Sequence, residues 1–247
     1  MLEIFFTFLF ARVIMKSSTK GVIKMIDIKN NTVDASNQMV NVSSIVSYMG
    51  DKNAPLKILV VGNSITRHGP KPQIGWERDW GMAASAPEKD YVHQLYAKLC
   101  AAGVNPYMMI RQASGWEIGY LGEDILDKFN DERAFDADIV VYRLGENVKK
   151  DMKHAFREKL EAFIAHICPR GRVVFTTCFW KNEIVDDGIR DLAAKRGEQC
   201  VDILCTAEDQ MALEPFEHKG VAMHPGDKGM EMIADRVAAA VLAEVKK

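Results

Sequence analysis

From Lys57 to the C-terminus, short continuous apolar runs alternate with amphipathic stretches. Ile58-Leu59-Val60-Val61 is apolar on every position, β-branched in part, and ends at Gly62. That is the pattern of a strand buried on both faces. A helix is predicted over 86–102: Ser85 and Glu88 form a capping box, Val92, Leu95 and Leu99 share one face, and Gly103 ends it. Further strands are predicted at 107–110, 139–144, 173–179 and 201–204. Met152, Phe156, Leu160, Phe163, Ile164 and Ile167 mark a helix that Pro169 and Gly171 stop. Ile184, Val185, Ile189 and Leu192 mark another, stopped by Gly197, and a last helix is predicted over 228–243.

Strands alternating with helices imply an α/β fold with right-handed crossovers. The expected architecture is a three-layer α/β/α sandwich, flavodoxin-like, around a central parallel five-stranded sheet. Residues 55–247 form this domain. Residues 1–54 read as an N-terminal extension, with at most a small strand pair at 22–28 and 39–46.

Composition changes little in this picture. The chain has 247 residues, 48% apolar and 27% charged, ordinary for a soluble globular domain with a full core. Its 32 basic and 34 acidic residues leave a net charge of −2, which argues against a nucleic-acid partner. The five cysteines include no C-x-x-C pair, so neither a zinc ribbon nor a thioredoxin-type site is signalled. Their number and spacing suit reduced thiols and a cytoplasmic setting. The apolar stretch in residues 1–15 is too short to span a bilayer and carries Glu3 where a signal peptide would be basic. It reads as a mis-assigned start, with Met15 and Met25 as alternatives, or as a degenerate export signal. No stable membrane insertion is expected.

Ligands in such folds bind outside the carboxyl ends of the strands. Four blocks lie there. Gly62-Asn63-Ser64-Ile65-Thr66 follows the first strand and offers Ser64 as a nucleophile or as a polar cap. It is neither a G-x-S-x-G elbow nor a Walker loop. Gly115 follows the second strand and can present its N–H to a ligand. Asn147, in Gly145-Glu146-Asn147, is a side-chain donor or a helix cap. His224 precedes the last helix, beside Pro225.

Together these blocks resemble the SGNH/GDSL hydrolases over roughly residues 57–247. The resemblance implies a serine esterase with Ser64 as nucleophile, His224 as base, and the backbone N–H groups of Ser64 and Gly115 with the Asn147 side chain as oxyanion donors. It implies no metal or organic cofactor. One position departs from the family: the aspartate usual three residues before the histidine is Val221. Removing the acid from a serine triad can cost about 10⁴ in rate. Glu217, Asp227 and Glu146 are the nearest acids, none at the expected offset. A backbone carbonyl is the expected partner of the ring, leaving a Ser–His dyad.

All four tryptophans, Trp76, Trp80, Trp116 and Trp180, fall in segments after strands, with Arg67, Arg78, Arg111 and Lys181 nearby. An aromatic-lined cleft suits a carbohydrate or other small polar ester, probed first as an acetyl ester. The alternatives are a weakened hydrolase that binds glycans, which Val221 favours, and a flavodoxin-like nucleotide binder, which the sparse glycines of the first loop oppose.

Overall fold

The computed structural model describes residues 39–41, 43 and 45–247. The expectations for residues 1–15 and 22–28 lie outside them. Seven strands form one sheet: β1 (Val40–Asn41), β2 (Val46–Met49), β3 (Lys57–Gly62), β4 (Tyr107–Gln112), β5 (Ile139–Arg143), β6 (Arg172–Thr176) and β7 (Gln199–Val201). Their spatial order is β1-β2-β4-β3-β5-β6-β7. The run β4-β3-β5-β6-β7 is parallel throughout, with Val60 facing Ile110 on one side and Val141 on the other. This is the predicted five-stranded core in flavodoxin-like order. The strand count grows because β2 pairs antiparallel with β4, and β1 with β2. Residues 46–49, read from sequence as extension, thus complete one flank of the sheet.

The continuous apolar composition of β3 has a direct cause. Side chains alternate between faces of a strand. Ile58 and Val60 pack with α1 (Tyr91–Ala101) and α7 (Asp227–Val245) through Val92, Leu95, Ile233 and Val237. Leu59 and Val61 pack on the opposite face with α2 (Ser114–Gly119), α4 (Phe156–Ile167) and α5 (Glu183–Arg196) through Trp116, Phe163, Ile164 and Ile189. Among the described residues, two further short helices, α3 (Asn130–Phe135) and α6 (Lys219–Ala222), complete the set. Among the described residues no helix is long and apolar enough to cross a membrane.

Several boundaries differ from expectation. Helix α1 begins at Tyr91, capped by Asp90, whose carboxylate accepts the His93 N–H at 2.8 Å. The expected capping box fails because Ser85 is engaged elsewhere: its N–H and hydroxyl donate to Asp227 at 2.9 and 2.7 Å. His93, in the first turn of this helix, is buried with Nδ1 2.9 Å from Asp90. The helix expected from Met152 starts at Phe156, after a 3₁₀ turn over Lys153–Ala155. The last parallel strand lies at 199–201 rather than 201–204. All five cysteines are free, with Cys168 and Cys178 buried.

Candidate active site

The nucleophile block is a tight turn at the carboxyl end of β3. The Asn63 carbonyl accepts the N–H groups of Thr66 and Arg67 at 3.0 and 3.1 Å. The Thr66 hydroxyl is 2.7 Å from the Tyr91 hydroxyl, which ties the turn to α1. A Cβ at Gly62 would overlap the Thr66 side chain, so the strand-to-turn junction needs glycine. Ser64 emerges from this turn.

His224 arrives from the far end of the chain, between α6 and α7. Its Nε2 lies 2.8 Å from Ser64 Oγ, across 160 positions of sequence. Its Nδ1 lies 2.6 Å from the Gly220 carbonyl. A carbonyl only accepts, so the proton sits on Nδ1 and Nε2 presents a lone pair to the Ser64 hydroxyl. That is the tautomer a general base needs. Burial of the ring lowers its pKa to about 4, with the Arg143 cation adding to the shift and the Gly220 carbonyl opposing it. The acids near in sequence do not serve the ring. Asp227 holds Ser85, and Glu146 accepts from Arg143 at 2.9 Å and from the Phe179 N–H at 2.9 Å. Val221 is buried in the apolar core.

Beneath the pair lies a polar cluster centred on Glu117, a fully buried residue of α2. One carboxylate oxygen accepts the Gly145 N–H at 2.6 Å, the Asn63 side-chain amide at 3.1 Å and the Asn147 N–H at 3.3 Å. The other accepts the Asn147 side-chain amide at 2.7 Å. Burial and the nearby Glu146 carboxylate raise the Glu117 pKa, while the Asn147 amide, the Gly145 N–H and Arg143 oppose the rise. Every contact in this set is a donor, so the ionised carboxylate fits it. Arg143, buried in β5, reaches both Glu146 oxygens and the Asn63 side-chain carbonyl. Gly145 takes a φ of +146°, and a Cβ there would meet Cys178 and Val185.

Of the four residues named from sequence, Ser64 and His224 are in direct contact. Gly115 opens the first turn of α2 with open space where a Cβ would stand. Asn147 follows β5 and is joined through Glu117 to the same helix; no helix starts at Lys150, so it caps none. Glu117, Arg143, Glu146 and Asn63 were not read as a unit. The available signal was a charged Arg143 inside an otherwise apolar strand, and an acid two positions after Gly115.

The expected aromatic cleft is corrected. Trp76, Trp80 and Trp116 are 0%, 8% and 1% exposed, and pack as core. Trp116 stacks on Phe163 at 4.5 Å. Arg67, Arg78 and Arg111 are buried too. Arg67 donates to the Asp79 and Ser43 carbonyls, Arg78 sits 5.6 Å from the Trp76 and Trp80 rings, and Arg111 pairs with Glu132 at 3.3 Å. Trp76, Trp80, Arg67 and Arg78 hold down the long segment between β3 and α1, while Trp116 and Arg111 pack from α2 and β4. Of the four tryptophans only Trp180 borders the site, its ring edge-to-face with His224 at 5.3 Å between centroids and its N–H donating to the Met223 carbonyl at 3.2 Å. Among the described residues no three His, Cys, Asp or Glu side chains converge as a metal site.

A flavodoxin-ordered sheet with a Ser–His pair at its carboxyl edge is the architecture of the SGNH/GDSL hydrolases, and the chain has that fold. No family model and no curated protein sequence matches it. Solved structures do. A family two carbohydrate esterase from Clostridium thermocellum in complex with cellohexaose is 15% identical, over 79% of this chain and 66% of its own, with a TM-score of 0.50. A member of the lipolytic G-D-S-L family from Veillonella parvula is 14% identical over 76% of this chain and 98% of its own, TM-score 0.51. A family two carbohydrate esterase from Cellvibrio japonicus is 12% identical over 78% and 62%, TM-score 0.51. The chain therefore spans somewhat under two thirds of the length of these two carbohydrate esterases.

Proposed function

We propose that the chain is a serine ester hydrolase acting through a Ser64–His224 dyad. The observation that carries this reading is the 2.8 Å contact of Ser64 Oγ with an Nε2 whose lone pair is directed by the Gly220 carbonyl on Nδ1. His224 takes the Ser64 proton as Oγ bonds to the ester carbonyl carbon. The oxyanion is received by the Ser64 and Gly115 N–H groups and the Asn147 amide, each worth about 3–4 kcal/mol in such sites. His224 then returns its proton to the departing alcohol. A water, deprotonated by His224, releases the acid from Ser64.

A carbonyl replaces the usual acid only in part. It holds the tautomer, but brings no full negative charge to stabilise the imidazolium. Slower turnover than a full triad follows. We infer a small acyl group, acetyl first, on a carbohydrate or other polar alcohol. Carbohydrate esterases among the solved structures that share this fold support that class. Hydrolysis of p-nitrophenyl esters from acetyl to dodecanoyl, wild type beside Ser64→Ala, tests the reading. Turnover that survives Ser64→Ala would sink it.

The second reading is a glycan-binding module that has lost turnover, which Val221 in the acid's place favours. Fluorophosphonate labelling separates the two. An activated Ser64 is labelled, and a silent one is not.

A further inference from the structure

A groove of about 510 Å³ opens beside the dyad, between the segments that follow β5 and β6. Trp180 and Glu146 border it on the His224 side, and Val148, Ile184, Lys150, Lys153, Lys181 and Asn182 complete it. Its apolar part is open to water: Ile184 is 60% exposed beside the half-buried Trp180. Its charge is unbalanced. The Glu146 carboxylate is spent on Arg143 and the Phe179 N–H. Lys181 pairs with Glu183 at 2.7 Å. Lys153 donates to the Asn182 side-chain carbonyl, a neutral partner that brings no compensating charge. Among the described residues no carboxylate pairs with Lys150 or Lys153. Two uncompensated cations therefore stand on one wall of the groove, in a chain whose net charge is −2.

Resting on the esterase reading, we propose that this groove receives the alcohol portion of the ester and that this portion carries an anionic group, carboxylate or phosphate, held by Lys150 and Lys153. An acetyl group is far too small to fill the space, so the alcohol side must do so. Its flat apolar face lies on Trp180 and Ile184, and its anion meets the two lysines.

The test uses methyl glucoside, methyl glucuronoside and methyl glucoside 6-phosphate, free and singly acetylated at the same hydroxyl. Wild-type protein is expected to favour at least one anionic ester over the neutral one by about 5-fold in kcat/KM at low salt, mostly through KM, as two partly exposed charge contacts supply. The preference should fade in 0.5 M salt and in Lys150→Ala/Lys153→Met, which removes one exposed and one half-buried cation. Which anionic probe leads tells carboxylate from phosphate. Equal kcat/KM for all three esters, or a preference that survives the double substitution, would overturn the proposal while leaving the esterase reading intact. Binding of the free glycosides, measured by calorimetry, decides the groove without turnover. If no ester is hydrolysed, the esterase reading falls, yet tighter binding of an anionic glycoside than the neutral one, lost in the double variant, still supports the groove. Equal binding overturns it.

Discussion

Glu117→Gln is the substitution that most directly questions how the site is held. In the wild type four donors converge on two carboxylate oxygens, three on one and the Asn147 amide on the other. A carboxamide has one oxygen. Kept toward Gly145 and Asn63, it turns its NH₂ toward the Asn147 amide, donor against donor, inside a buried site. Asn147, no longer held, loses part of the ~3–4 kcal/mol that an oxyanion donor supplies, which predicts a kcat for acetyl esters lower by roughly 5- to 150-fold. KM should change little, because Asn147 acts on the developing oxyanion rather than on the bound ester. Folding should suffer less than catalysis, since losing one carboxylate also relieves the repulsion between Glu117 and Glu146. The assay is steady-state hydrolysis of p-nitrophenyl acetate with urea unfolding alongside, in wild type, Glu117→Gln, Asn147→Ala and the double variant. If Glu117 acts through Asn147, its substitution costs much less once Asn147 is alanine. Fully additive losses, or an unchanged kcat in a folded Glu117→Gln protein, would refute the positioning role.

Asn147→Ala alone is expected to lower kcat by roughly 10²–10³-fold with KM nearly constant, as loss of one oxyanion donor does; a KM effect with unchanged kcat would remove Asn147 from that role. The acid limb of kcat/KM against pH should fall near pH 4 rather than 6.5, since burial keeps His224 neutral down to about 4. The same shift has a stability counterpart. The folded ring binds its proton less readily than the unfolded one, so its contribution is complete above pH 6.5 and is lost as pH falls toward about 4. Urea midpoints between pH 7 and pH 4, with His224→Gln as the comparison, check that sign. Gly145→Ala should destabilise by about 2–4 kcal/mol, because a methyl there is strained at positive φ and overlaps Cys178 and Val185; a urea midpoint equal to wild type would contradict this. Trp116→Ala should cost about 3–5 kcal/mol as a core truncation, and glycoside binding that falls while stability holds would return it to the cleft.

The layered α/β architecture was legible because each strand from β3 to β6 is apolar on both faces, a composition that parallel strands between two helix layers require. The four blocks were legible because loops at the carboxyl ends of such strands are where the chain is free to carry polar groups. Two limits were local. A capping box at Ser85 and Glu88 satisfies the pattern, yet Ser85 is drawn away by Asp227, 142 positions further on. Tryptophans and arginines in loops look alike whether they face a ligand or the core, and burial at Trp76, Trp80 and Arg67 is a property of how the loop after β3 folds back.

The site divides along the same line. Residue type and order are carried by the sequence alone: a serine after the first buried strand, a glycine after the second, an asparagine after the third, a histidine before the last helix, and no aspartate at 221. Contact belongs to the tertiary structure. Ser64 meets His224 because α7 packs against the same sheet face as α1 and returns the chain to the carboxyl edge of β3. The Gly220 carbonyl reaches Nδ1 because the short α6 turns the backbone back on itself, and any residue could supply that carbonyl, so no side-chain pattern announces it. Glu117 joins two separate segments to its own helix for the same reason: its partners are two backbone N–H groups and two side-chain amides from Asn63, Gly145 and Asn147, which meet only where the ends of β3 and β5 come up against α2.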